Sequence, residues 1–234
     1  MRIGEKCKFV LSENLYALKA GRKYTGIYAG GDRVRYQRFT VIPEEIIPIQ
    51  KPAVKKEKAP TASDYKNFGD MAFEIGIRFR DNWTSVISGQ KFEEGDWNGL
   101  QAGHGVSRQH WATRHNPLNC HAITSGQNFH MSIGTATIIA KYWAYVAKKY
   151  GQDVVDELLN NNESPKLSIS YLKEDCIRQY EFLKNILNTY LTLKTKTFVS
   201  ADPDYYIKWR CEKFPKVKTD GIMKVLKLIQ EGQI

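Results

Sequence analysis

All five histidines of this chain, His104, His110, His115, His121 and His130, fall within 27 of its 234 residues. Asn116, Asn119 and Asn128 share the same segment, residues 101–134. Imidazole exchanges protons near neutral pH and binds metals, so five imidazoles and three asparagine carboxamides together suggest a place where a proton moves or a cation is held. The plainer reading is a polar loop with a few hydrogen-bonded core histidines. The spacing argues against it. Ala102-Gly103-His104 ends a β segment, Asn119 follows 15 residues later, and Asn128, nine residues further on, stands where a helix begins.

A first His on a strand, a middle Asn on a loop and a third polar residue opening a helix resembles the HNH, or ββα-metal, nuclease motif. Phosphodiester hydrolysis needs a base to deprotonate water and a cation to stabilise charge on the phosphate. The resemblance implies His104 as the base, Asn119 as the residue that holds the hairpin and orients the imidazole, and Asn128 as a ligand of Mg²⁺ or Mn²⁺. Asn128 also reads as a plain helix N-cap, and both roles can coexist.

The segment further resembles the NinG (Rap) family of phage recombination endonucleases, which act on branched DNA. The matching pieces are Ala102-Gly103-His104, Asn119-Cys120-His121 and Asn128-Phe129-His130, followed by the stretch Gly151 to Leu158. The resemblance spans roughly residues 70–190 and implies a DNA endonuclease. Two features depart from the family. Its cysteine pairs, which imply a structural zinc, are missing: Thr124 and Gln127 stand at one pair, and Val86 and Gly89 lie near the other. No structural zinc is therefore expected, and packing of Ile123, Ile87 and Phe92 is expected in its place. The family's acidic residue before Ala-Gly-His is also absent. Hard cations prefer anionic oxygen, so Asp96 is the expected substitute and His130 a further candidate ligand. His121 and His130 match family positions, and metal binding, phosphate contact and packing stay open for both.

The elements that must carry this segment can be read in outline. Residues 1–49 read as a small β-rich module, SH3- or OB-like, in which Arg33 and Arg35 share one face of a strand and could follow a phosphate backbone. Residues 50–64 read as a basic, Pro-containing linker. Residues 65–234 form the main domain. A helix capped by Asp64 is expected to run to about Arg80, followed by a turn-rich β segment from Val86 to His104 and a loop over 105–121. A helix is expected from Asn128 or Thr135 to Tyr150 with Gly151 as its C-cap, then a short helix over 152–160. A long amphipathic helix is expected from Ser170 to about Leu193, and a last one near 220–230. The fold class is α+β: a ββα-metal core embedded in helices, with the N-terminal module.

The net charge is +10, which favours a polyanionic partner through counterion release. Arg108, His110, Arg114 and His121 are the expected phosphate contacts beside Arg33 and Arg35. The four cysteines, Cys7, Cys120, Cys176 and Cys211, make no C-x-x-C pair, which fits a reducing compartment. The segment Met1 to Val10 does not read as a signal peptide, and Ile133 to Ala147 is too short to span a bilayer and contains Lys141. The expectation is a cytoplasmic protein with no membrane partner. A homodimer is plausible, with residues 170–193 as its interface. Two other readings remain open. One is a non-catalytic nucleic-acid-binding protein that kept the ββα scaffold. The other is an RNA-directed nuclease, since phosphate contacts do not separate DNA from RNA.

Overall fold

A computed structural model describes the side chains of residues 58–161, 167–190, 200–213 and 219–234, and the backbone of residues 191–193 and of five strands between residues 6 and 48. The chain divides into two units, Met1–Lys58 and Ala59–Ile234.

In the first unit, β1 (Lys6–Val10), β2 (Lys23–Gly30), β3 (Arg33–Tyr36), β4 (Phe39–Val41) and β5 (Glu45–Pro48) form one antiparallel sheet in the order β4-β3-β2-β1-β5. The chain meanders through four strands and β5 returns to pair with β1, Cys7 opposite Pro48. Arg33 and Arg35 lie on β3, and their side chains lie outside the described residues. So do residues 50–57 of the expected linker.

The second unit is organised around α1 (Ala62–Arg80). Thr61, not Asp64, is its N-cap, and Asp64 completes a capping box by accepting the Thr61 backbone N–H at 2.7 Å. The helix therefore starts inside the stretch expected to be linker. Tyr65, Phe68, Ala72, Phe73, Ile75, Ile77 and Phe79 are all buried, over more than half of the helix circumference, so α1 is the central rod of the domain. Against it packs α6 (Ile169–Leu193), with Leu172, Cys176, Leu183 and Leu187 facing the core. The α6 start is held by Ser168, whose Oγ accepts from the Tyr171 N–H at 3.1 Å; Ser170, the expected cap, lies inside the helix.

Only residues 100–104 of the expected β segment are strand, apart from an isolated bridge between Thr84 and Lys91. β6 (Leu100–His104) pairs antiparallel with β7 (Cys120–Thr124), His104 opposite Cys120, so the ladder closes around the histidine loop. That loop contains a single helical turn, α2 (Trp111–Arg114). After β7 come α3 (Ser125–Ser132) and α4 (Ala136–Tyr150), two helices separated at Gly134, whose φ of +79° a side chain would disfavour. Gly151 ends α4, its N–H bonded to the Ala147 carbonyl, and α5 (Gln152–Asn160) follows. The C-terminal region holds two helices where one was expected, α7 (Pro203–Lys213) and α8 (Thr219–Gln230), and both pack into the α1 core through Tyr206, Ile207, Ile222, Val225 and Leu226. Among the described residues, no helix is long and apolar enough to cross a membrane.

α1 and α6 approach closely at glycine. A Cβ on Gly76 would stand 2.6 Å from the Phe182 ring. Overpacking such a contact costs about 1–3 kcal/mol. Gly76→Val is expected to lower stability by about 2 kcal/mol, read as a drop in the urea midpoint with an unchanged slope.

Candidate functional site

The site begins where β6 ends. His104 is nearly enclosed, and burial pushes its imidazole down to about 4 from the usual 6.5, so the ring is neutral at pH 7. Its Nε2 lies 2.9 Å from the Arg114 carbonyl oxygen. A carbonyl only accepts, so Nε2 carries the proton and Nδ1 keeps the lone pair. Cys120 Sγ lies 3.7 Å from that Nδ1, and burial holds the Cys120 thiol far above its ordinary range.

The Arg114 carbonyl is itself fixed from several directions. The Arg114 guanidinium is bidentate on Asp70, at 2.7 and 2.5 Å, stacks over Trp111 at 4.8 Å and donates to the Arg108 carbonyl. His115 lies between two carboxylates, Asp175 at 2.7 Å from Nδ1 and Asp70 at 3.0 Å from Nε2. Burial opposes protonation of that ring, but the two carboxylates outweigh it and raise its pKa. Burial likewise opposes ionisation of Asp70 and Asp175, yet hydrogen bonds from His115 and, for Asp70, Arg114 hold both below the usual carboxylate range.

Asn119 is fully buried and acts on the same loop. Its Oδ1 accepts the Val106 N–H at 2.7 Å, and its Nδ2 donates to the carbonyls of Val106 and Thr113 at 2.9 and 3.0 Å. It makes no hydrogen bond to the His104 ring. It fixes Val106 and Thr113, the second of which directly precedes the residue whose carbonyl holds that ring.

His104 opens onto a cleft of about 700 Å³. Gln101 and Asn128 line it from β6 and α3, joined by a 2.7 Å bond from Asn128 Nδ2 to Gln101 Oε1. Glu74 and Arg78 enter from α1 and Arg108 from the loop. Glu74 lies 3.8 Å from each of those two guanidiniums. Arg108 is exposed, whereas Arg78 is buried and bonded to the Leu100 carbonyl at 2.9 Å.

Several expected site residues lie elsewhere. Asp96 does not line the cleft; its Oδ1 accepts the Gly99 N–H at 2.8 Å and closes a turn. The carboxylate in the cleft is Glu74. Its sequence signal was a pair of charged residues four apart, Glu74 and Arg78, inside the otherwise apolar run 71–79. His130 is exposed, 3.2 Å from Thr135 Oγ1, and is not part of the cleft wall. Arg114, committed to Asp70, and His121, fully buried, are not placed to touch phosphate. His121 takes a hydrogen bond from Arg80 at 2.6 Å, bonds the Leu118 carbonyl at 3.2 Å and stacks on Tyr150. His110 is exposed at the start of α2. Among the described residues, no three His, Cys, Asp or Glu side chains cluster as a metal site.

Around the missing cysteines, side-chain hydrogen bonds join the turn after α1 to the start of α3. Gln127 Oε1 accepts from Ser85 Oγ at 2.7 Å and from the Thr124 N–H at 2.9 Å, while Thr124 Oγ1 accepts the Gln127 N–H at 3.1 Å. Ile123 packs with Ile87 and Val86 beside this knot; Phe92 packs in the main core instead.

A family model described as the bacteriophage lambda NinG protein matches residues 45–188, more than half of the chain. The chain belongs to the NinG family. The match runs from β5 to the last turns of α6 and takes in His104, Asn119, Asn128, Glu74 and Arg78. It leaves out α7 and α8. No curated protein and no solved structure matches the chain.

The buried charge network gives a pH signature. His115 has a raised folded pKa, so its contribution is complete below 6.5 and is lost as pH rises through the folded value; the lowered Asp70 and Asp175 contribute above 3.8 and lose it in acid. Urea unfolding should show stability falling from pH 6 towards pH 9, and His115→Gln should flatten that limb. Asp70→Asn, which strips Arg114 of its partner, should cost about 3–5 kcal/mol at pH 7.

Proposed function

We propose that this NinG-family chain is a metal-dependent DNA endonuclease in which His104 takes the proton from the attacking water. The observation that carries the reading is the state of His104: a neutral ring in the lining of the cleft, held through Nε2 by the Arg114 carbonyl, so that Nδ1, beside Cys120 Sγ, keeps its lone pair. As the water oxygen bonds phosphorus, its proton passes to Nδ1 while the bond to one sugar oxygen breaks, and that oxygen is protonated from solvent. Asn119 is a positioning residue, acting on His104 through the loop.

The donor set fits a hard cation sparingly. Glu74 supplies one carboxylate, and the Asn128 and Gln101 carboxamides supply neutral oxygens. Mg²⁺ often binds through one or two carboxylates together with water and substrate phosphate. When bound, such an ion would stabilise charge on the phosphate. Arg78 and Arg108 beside Glu74 neutralise part of the negative charge that the cation needs, so weak binding in the absence of DNA is expected.

Branched DNA is the proposed substrate on family grounds, with linear duplex as the comparison. A non-catalytic DNA-binding role is the second reading. It is favoured by the single carboxylate of the cleft and by Cys120 Sγ beside the basic nitrogen.

Cleavage of a labelled four-way junction and its matching duplex, in Mg²⁺, Mn²⁺ or EDTA, decides between them. His104→Ala should lose cutting by about 10²–10⁴-fold while still binding DNA. Binding without cutting by the native chain under either metal would establish the second reading. Because His104 must be unprotonated to act, activity should persist above its lowered pKa and fall on acidification below pH 6, towards 4, and not at the ordinary imidazole value of 6.5. Glu74→Gln should raise the Mg²⁺ concentration needed for half-maximal cutting.

A further inference from the structure

Residues 97–152 contain no Asp or Glu; their charged side chains are Arg108, Arg114, Lys141, Lys148 and Lys149, beside all five histidines. The stretch runs through β6, β7, α3 and α4. Among the described residues, the carboxylates that reach it come from outside it: Glu74 at Arg108, Asp70 at Arg114, Asp175 at His115 and Asp81 at His121. Lys141 and Lys148 are exposed on α4. A surface built without acidic groups suits an anionic partner.

Two large apolar side chains stand on this surface. Phe129 and Ile133 are each 60% exposed, more than any other large apolar residue among those described, and neither joins a core cluster. They lie one helical turn apart and form a single patch. The same helix, α3, gives Asn128, Met131 and Ser132 to the cleft beside His104. At 3.6 residues per turn, Phe129 and Ile133 follow Asn128 and Ser132 round the axis by about 100°, which sets the pair on the flank next to the cleft face. Arg78, Arg108 and Arg210 also line the cleft, Arg210 from α7 with its guanidinium 5.3 Å from the centre of the Trp97 ring.

We propose that Phe129 and Ile133 form a wedge that packs on an unstacked base at a DNA branch point. The partner must be anionic and still offer a flat apolar face, and a base exposed beside its own phosphates does both. Proteins that kink DNA insert Phe, Ile, Leu or Met at a base step, and unstacking costs least where the stack is already broken. Helix α4, which follows, decides against a bilayer or an apolar helix as the occupant. Its exposed positions are small or charged, Ala136, Ala140, Ala144, Lys141 and Lys148 among them. A bilayer or a partner helix is held by large apolar side chains over several turns, and two on one turn are too few. The proposal rests on the nucleic-acid side of the proposed function and not on chemistry at His104. It supplies a feature of this chain that separates branched from linear DNA.

The test uses the full chain in EDTA, so that cleavage plays no part. The probes are a four-way junction with the fluorescent base 2-aminopurine at its branch point and the matching linear duplex. The native chain should bind the junction more tightly and change the 2-aminopurine fluorescence. Phe129→Ala combined with Ile133→Ala should weaken junction binding by about tenfold, abolish the fluorescence change and leave duplex affinity unaltered. An equal loss on both DNAs, or no loss on either, would overturn the wedge. So would an unchanged 2-aminopurine signal when the native chain binds, a measurement that needs no variant to fold. Unchanged junction binding in a variant that no longer self-associates would assign the patch to a second copy of the chain and overturn it as well. A native chain that binds neither DNA would overturn the wedge together with its premise. Wedge-dependent junction binding by a chain that never cuts in Mg²⁺ or Mn²⁺ would sink the nuclease reading and leave this one standing.

Discussion

The Asp70–Arg114 ion pair is the constraint on which the candidate site depends. Asp70 sits on α1, the most buried helix, and Arg114 sits in the only helical turn of the histidine loop. The pair fixes the loop to the core, and the same residue's carbonyl then selects which nitrogen of His104 keeps its lone pair. His115 adds a second link from the loop to Asp70 and a first link to Asp175 on α6. Asn119 ties the loop to itself. A loop between two antiparallel strands would ordinarily be among the more mobile parts of a domain. Here charge pairing under low dielectric makes it part of the core. Such pairs add little net stability beside a well-packed apolar alternative, and their removal one partner at a time is costly. What they contribute here is geometry.

The glycines of α1 belong to the same logic. Gly69 lies where an added Cβ would stand 3.3 Å from both Asp175 Oδ2 and His115 Cε1, and Gly76 admits the Phe182 ring one heptad later. Small residues on the central helix let α6 come close enough for Asp175 to reach His115. Helix packing and side-chain electrostatics are thus set by the same two positions.

Much of this was legible in the sequence, and the failures have physical causes. Helices with a strong apolar period or a clear stop, such as α4 with Gly151 and α6 with its Leu172–Leu187 stripe, stand where patterning puts them. Strand β7 was not anticipated because the pairing is non-local: residues 100–104 pair across a loop with residues 120–124, and no turn signal joins them. The residues of the candidate site split by the same rule. His104, Asn119 and Asn128 were readable because they share one short segment. Glu74 and Arg210 were missed because only tertiary packing brings them to that segment. His121 and Arg114 looked available because polarity alone does not say whether a partner is waiting in the core. Arg80, Asp81 and Asp70 are those partners.

The placement of Arg210 bears on when the cleft comes into being. Chains emerge from the ribosome N-terminus first, and domains tend to fold as units once enough has appeared. Tyr206 of α7 bonds Glu94, and Cys176 of α6 bonds the Tyr65 carbonyl, both across more than a hundred residues. A nascent chain exposed only as far as α4 would hold the histidine loop but neither the α6 carboxylate that steadies it nor the α7 guanidinium beside Trp97. The cleft is therefore complete only after α7 has emerged, more than a hundred residues behind α1.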